Sequence, residues 1–249
     1  MEPKIEVAVL GATGMVGQHF IKFLDGHPWF RVTWLGASDR SAGKRYAEAA
    51  SWHLGESIPD DVASLTVEEC KPGRGPRLVF SAMDASVAGE IEQAFAGAGH
   101  VVVSNSRNHR MEPDVPLLVP EINADHLQLV PIQQRNRKWK GMIVTNPNCS
   151  TVTLAMGLAP LKPFGIRRVI ATTLQAISGA GFPGVASMDI VGNVIPHIGG
   201  EEEKMERETQ KILGRCADGR VRPLEAVVSA HCNRVPVVDG HTVTVSVEL

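Results

Sequence analysis

The segment Gly11-Ala12-Thr13-Gly14-Met15-Val16-Gly17 constrains the fold of this chain more than any other. It is a G-x-x-G-x-x-G loop between an apolar run, Ile5–Leu10, and an amphipathic run, Met15–Leu24. A short apolar run closed by glycine reads as a strand buried on both faces. Met15, Val16, Phe20, Phe23 and Leu24 recur near helical spacing, and His27-Pro28 ends the pattern. Strand, glycine turn and helix together form the opening of a dinucleotide-binding unit. The glycines permit the tight turn, the close approach of a pyrophosphate and close helix–strand packing. The helix N-terminus adds free N–H groups and a positive dipole end. A purely structural turn would use the same glycines, so the weight comes from the loop's place on the first βα turn.

The rest of the chain extends this pattern. Phe30–Gly36, Leu78–Ala82, His100–Ser104 and Gly141–Thr145 read as strands. Glu90–Ala98 and the run from about Ser150 to Ala159 read as helices. Alternating strands and helices predict a Rossmann-type, doubly wound parallel sheet. Gln133–Lys140 is polar and basic and is expected to be a surface excursion. Beyond residue 159 the texture changes to α+β. Arg167–Gln175, Glu225–Cys232 and His241–Leu249 are strand-like, a Gly-rich loop follows Gln175, and Glu201–Leu213 is a charged helix. The expected division is a nucleotide-binding domain over 1–148 and a second domain over 149–249. Lys+Arg 25 against Asp+Glu 27 gives no bulk charge for nucleic acid. With 43% hydrophobic residues the chain is globular, and no apolar run is long enough to span a membrane. No secretory pattern opens the sequence, so a reducing cytoplasm and free thiols are expected.

The second strand should end at the adenosine ribose, where an acidic residue favours a free 2′-OH and an arginine favours a 2′-phosphate. Ser38, Arg40, Ser41 and Lys44 resemble a phosphate cradle and point to NADP, while Asp39 pulls toward NAD. Four cysteines, Cys70, Cys149, Cys216 and Cys232, show no metal-ligand spacing, and no metal is expected. Cys216 and Cys232 read as small buried hydrophobes and Cys70 as a loop residue. Cys149, in Asn146-Pro147-Asn148-Cys149-Ser150-Thr151, stands between a strand and a helix. A helix start lowers a thiol pKa and yields a thiolate able to attack an acyl carbon. The same pattern also fits a plain helix cap at Asn148 or Ser150 with a packed cysteine behind it. Arg234 and His241 flank Val235–Gly240, where Asp239-Gly240 could turn the chain between two strands and bring both side chains together.

Eight segments, in order from residue 7 to residue 242, carry a resemblance to one family: VAVLGATGMVGQ, LGASDRSAGKRY, SNSRNHR, VPLLVPEIN, NPNCST, TTLQAISGAGFPG, NVIPHIGGEEEKMERET and CNRVPVVDGHT. The chain resembles the aspartate-semialdehyde dehydrogenases of the fungal and archaeal branch. The resemblance implies NADP-linked reduction of L-aspartyl-4-phosphate to L-aspartate 4-semialdehyde with release of phosphate. It implies Cys149 as nucleophile, His241 as acid/base and Gln175 as the residue that orients substrate. Arg234 would hold the substrate carboxylate and Glu201 its amino group, although Glu202 and Glu203 are neighbours that could take this register. Arg110 and Lys204 would grip phosphate, and Asn148 would contribute to the substrate site. Gly11, Thr13, Gly14, Met15, Val16 and Gly17, with Ser38, Arg40, Ser41, Ser178 and Gly179, would hold the cofactor.

A homodimer or homotetramer is implied, without nucleic acid or membrane. Without the family, 201–208 would read as a solvated helix face. The alternatives are a related reductase acting on N-acetyl-glutamyl phosphate or malonyl-CoA, and a non-catalytic nucleotide-binding protein. Family chains are longer. The alternating run Val243–Leu249 has no turn or cap after it, so a chain truncated at its C-terminal end, unstable or inactive alone, is expected.

Overall fold

A computed structural model describes residues 3–55 and 57–249, and it divides into two compact units. The first is Met1–Pro116 with Val130–Asn146; the second is Leu117–Leu129 with Pro147–Leu249.

In the first unit, β1 (Ile5–Leu10) leads through the glycine loop into α1 (Met15–Leu24) and then β2 (Phe30–Ala37). Two short helices follow, α2 (Tyr46–Ala49) and α3 (Asp60–Ala63). Next come β3 (Val67–Glu69), β4 (Leu78–Ser81), α4 (Ala85–Gly97) and β5 (Val101–Ser104). The chain leaves for the second unit through the short helix α5 (Pro120–Asn123), then returns as α6 (Val130–Arg137) and β6 (Met142–Thr145). The six strands form one parallel sheet in the order β3-β2-β1-β4-β5-β6. Strand order reverses at β1, which lies between β2 and β4. That switch point is where open α/β sheets bind ligands, at the strands' carboxyl ends. Val7 and Val9 pack one face with Ile21, Leu35 and Tyr46. Ala8 and Leu10 pack the other with Val79, Phe95 and Ile143.

The sequence missed two features here. α4 starts five residues earlier than expected, because Asp84 caps it by accepting the Ser86 N–H at 2.8 Å. Residues 133–140 are not a surface excursion throughout. Gln133, fully buried on α6, donates to the Asp114 and Ile143 carbonyls and accepts the Ile143 N–H at 2.8 Å.

The second unit holds α7 (Cys149–Leu158), β7 (Arg168–Gln175), the short helix α8 (Ser187–Ile190) and α9 (Glu201–Ile212). A hairpin, β8 (Arg215–Ala217) and β9 (Arg220–Arg222), precedes β10 (Val227–Arg234) and β11 (His241–Glu248). β7 is the central strand, with β10 parallel on one side and β11 antiparallel on the other. Asp239-Gly240 therefore does not close a hairpin; the segment after β10 carries the chain to the opposite edge of β7. Leu154, Leu158, Val169, Ala171, Met205, Val228 and Ala230 pack α7 and α9 onto one face of this sheet. Glutamates of α9 also satisfy the outer edge of β10. Glu202 accepts the Cys232 N–H at 3.1 Å and Glu206 the Ala230 N–H at 3.2 Å.

Cys232 is buried, as expected, while Cys216 on β8 and Cys70 are half-buried. No described helix is long and apolar enough to cross a membrane. No group of His, Cys, Asp and Glu that could hold a metal occurs among the described residues.

Candidate active site

In the first unit the three glycines have three different reasons. Gly11 turns the chain at φ +70°, and a Cβ there would stand 2.6 Å from the Ala82 carbonyl oxygen. A Cβ on Gly17 would meet the Gly11 oxygen at 2.2 Å and the Ala12 Cα at 2.7 Å, so α1 can seat on the loop only with glycine. Gly14 is open: the nearest atom to a Cβ is the Gly11 oxygen at 3.5 Å. It borders the start of α1, which has no side-chain cap. The loop is tied from behind. Tyr46, fully buried, donates its hydroxyl to the Ala12 carbonyl at 2.8 Å. Gln18 donates to the Thr13 carbonyl at 3.0 Å. An open glycine beside an uncapped helix start fits a pyrophosphate. Directly after β2, Ser38, Asp39 and Arg40 are exposed on a turn closed by the Ser41 N–H on the Ser38 carbonyl, with Ser41 half-buried.

Arg110 belongs to this unit, and its Nη2 donates to the Asn105 carbonyl at 2.9 Å. Its neighbour His109 is buried, with Nδ1 2.8 Å from a Glu112 oxygen and Nε2 3.6 Å from the fully buried Glu92 carboxylate. Glu112 in turn pairs with Arg137, which also pairs with Asp114. Burial alone would lower the His109 pKa, but Glu112 and Glu92 outweigh it and hold it up.

The second unit gathers the remaining chemistry around α7, α9 and one row of the three-stranded sheet. Register pairs Gln175 of β7 with Arg234 of β10 on one side and His241 of β11 on the other. Three distant segments thus deliver an amide, a guanidinium and an imidazole to one row, on the face that packs under the helices. Arg234 donates from Nη1 to the Ala176 carbonyl at 2.7 Å. His241 Nδ1 accepts the Ala176 N–H at 3.0 Å, so its neutral ring carries the proton on Nε2. Gly179 lies against both: a Cβ there would stand 2.8 Å from Arg234 Nη1 and 3.1 Å from the His241 ring. Ser178 sits in the same turn, its N–H on the Val238 carbonyl at 3.1 Å.

Cys149 opens α7. Asn148 caps it, its Oδ1 accepting the Ser150 and Thr151 N–H groups at 3.0 and 3.1 Å. Asn148 Nδ2 donates to Glu201 Oε1 at 2.7 Å, and Lys204 donates to Glu201 Oε2 at 3.1 Å. Gln175 lies close enough to Glu201 to help hold its carboxyl down, while Gln175 Nε2 donates to Thr173 Oγ1 at 3.2 Å. Glu201 is thus the glutamate of α9 that faces Asn148, while Glu202 faces β10. Burial would push the Glu201 carboxyl up, but the bonds from Asn148 and Lys204 and the Lys204 charge hold it below the usual range.

The Cys149 thiol is shifted the other way from the sequence expectation. The residue keeps contact with solvent, yet protein crowded around the sulfur raises its pKa, and the Glu201 charge raises it further. The Ser150 N–H at the helix start opposes both and does not prevail. The face of α9 over 201–208 is not simply solvated, since Glu201, Met205 and Glu208 are buried. Sequence reasoning passed over Glu208. Its only signal is the spacing of seven from Glu201, two helical turns on the same face.

A thiol under the field of a carboxylate–lysine pair, in a unit that also brings an imidazole N–H and a guanidinium to one sheet row, suits attack on an activated acyl group of a charged substrate. Residues 6–130 match the family described as semialdehyde dehydrogenase, NAD binding domain, and residues 158–249 its dimerisation domain. An aspartate-semialdehyde dehydrogenase of Methanothermobacter thermautotrophicus is 52% identical over 98% of this chain and 71% of its own length. One from Cryptococcus neoformans is 52% identical over 99% of this chain and 71% of its own. The crystal structure of aspartate semialdehyde dehydrogenase with NADP from Candida albicans is 46% identical and superposes with a TM-score of 0.90, covering 99% of this chain and 72% of that one.

Proposed function

The chain belongs to the aspartate-semialdehyde dehydrogenase family, and from that membership we propose how its residues carry the reaction. It is an NADP-dependent oxidoreductase of amino-acid biosynthesis, reducing L-aspartyl-4-phosphate to L-aspartate 4-semialdehyde. The observation that carries the residue assignment is the convergence of Cys149, Glu201, Gln175, Arg234 and His241 in one unit.

Cys149 Sγ bonds to the acyl carbon of the substrate while the carbon–oxygen bond to phosphate breaks. Phosphate leaves with the electron pair and takes up the proton that the Cys149 thiol gives up, and a thioester remains on the enzyme. NADPH held at the glycine loop would supply the hydride that this carbon needs. The carbon–sulfur bond then breaks, releasing the aldehyde. His241 enters as a donor, because its proton is on Nε2. Its Nε2–H stabilises the negative oxygen of each tetrahedral stage, and sulfur departs as thiolate and regains its proton from solvent. Arg234 holds the substrate carboxylate through its fork. Glu201, kept anionic by Asn148 and Lys204, receives the substrate ammonium, and Gln175 orients the acyl group. Lys204 and Arg110 hold the phosphate.

Gly11, Gly14 and Gly17, with Thr13, Met15 and Val16, cradle the pyrophosphate, and Ser38, Arg40 and Ser41 take the 2′-phosphate. Ser178 and Gly179 complete the nicotinamide end. The protein works in the cytoplasm as a homodimer or homotetramer, on a small substrate and inorganic phosphate, without nucleic acid.

Cys149→Ala tests the assignment. Phosphate-dependent reduction of NADP by aspartate semialdehyde is expected to fall at least 10³-fold, and turnover within a few-fold of wild type would end it. Arg40→Ala is expected to narrow the NADP-over-NAD preference in kcat/KM by at least tenfold, from loss of a charge-assisted phosphate contact. An unchanged ratio would move the 2′-phosphate elsewhere.

A further inference from the structure

The buried carboxylate of Glu208 has no part in the chemistry above, yet its Oε2 accepts the backbone N–H of Asn148 at 2.7 Å. Glu208 is only 2% exposed. Burying an ionisable group is costly, so its position calls for a physical reason. Asn148 is the cap of α7, and the N–H of a cap residue has no partner within its own helix. The side chain of Asn148 cannot supply one, because both ends are committed. Its Oδ1 holds the Ser150 and Thr151 N–H groups, and its Nδ2 holds Glu201. The peptide plane of Asn148 is therefore fixed from outside α7, and Cys149 Cα lies one residue beyond it. Glu201 and Glu208, two turns apart on α9, grip the same residue from its side chain and its main chain.

We propose that Glu208 is a positioning residue for the nucleophile: by accepting the Asn148 N–H it fixes the turn that aims Cys149. The requirement is for an acceptor at the right reach, not for a charge. This rests on Cys149 being the nucleophile. A misplacement of about 1 Å at a reacting atom can cost on the order of 10²-fold in rate, which sets the size of effect to look for.

Two variants of the whole chain separate reach from charge. Glu208→Gln keeps an acceptor at the same distance. Glu208→Asp keeps the charge but withdraws it by about one C–C bond, roughly 1.5 Å. E208D is expected to lose 10- to 100-fold in kcat with KM for aspartate semialdehyde within about threefold, while E208Q stays within about threefold of wild type in both. Amide exchange at Asn148 is expected to speed up at least tenfold in E208D and to hold in E208Q.

Unchanged kcat and exchange in E208D would overturn the proposal. So would a loss in E208Q as large as in E208D, which would make charge the requirement, or failure of both variants to fold, which would make the role structural. Failure of the nucleophile assignment reads differently: C149A would then still turn over, or the wild-type chain would not, while exchange at Asn148 still reports what Glu208 does.

Discussion

Cys149 illustrates how the sign of an electrostatic effect is settled by competition. A thiol at a helix start gains from the N–H groups and dipole there. Here that gain is smaller than the loss from crowding of the sulfur and from the Glu201 carboxylate. The resting residue is thus held toward the neutral thiol, and only thiolate reacts with an alkylating agent. The rate of Cys149 alkylation by iodoacetamide is expected to keep rising through pH 9, beyond the midpoint of an ordinary thiol near 8.5. Glu201→Gln removes the neighbouring negative charge and is expected to move the midpoint down. A wild-type midpoint at or below that of a free cysteine, read by mass spectrometry of the labelled peptide, would contradict this account. The thiol's place was legible in Asn146–Thr151; its direction of shift was not, because Glu201 reaches it from 52 residues further along the chain.

At the scale of elements, the glycine loop was legible because everything that shapes it lies within a dozen residues. Its glycines are not equivalent, and that follows only from the packing. Gly14→Ala adds a methyl where the closest atom is 3.5 Å away, at a backbone φ of −78° that alanine adopts freely. The fold is expected to lose no more than about 1 kcal/mol, the scale of a changed helix cap. Affinity for NADP, by contrast, should drop tenfold or more as the methyl fills the pyrophosphate approach. Gly17→Ala collides with backbone at 2.2 Å and is expected to cost about 3 kcal/mol or more through displacement of α1. Thermal unfolding and cofactor titration of the two variants should separate them; equal losses of stability would refute the distinction. What the sequence hid were pairings that span the chain. The row Arg234–Gln175–His241 depends on β11 crossing to the far side of β7, and no local turn signal encodes that. Gln133 was hidden for another reason. Its neighbours are polar and basic, and its burial rests on backbone groups of residues 114 and 143.

At the scale of the whole molecule, one face of the β10-β7-β11 sheet packs under α7 and α9 and the other does not. The uncovered face carries Ile170 and Leu174 of β7 and Val227 of β10 among Thr172, Ser229, Thr244 and Ser246. Ile170 is 49% exposed and Val227 64% exposed. Apolar side chains spaced along an open sheet face are what a second copy would cover, and this region matches a dimerisation domain. A net charge of −2 sets little repulsion against association of two copies. Burying apolar surface at about 25 cal/mol per Å² favours the assembly, and a charge placed in the middle of the face opposes it twice, by losing that burial and by requiring its own desolvation. Ile170→Glu is therefore expected to shift the protein from an oligomer to a smaller species in light scattering. The β7 strand itself should persist, because Ile170 points away from the core formed by Val169 and Ala171. An unchanged mass with an intact fold would place the interface on another surface of the second unit.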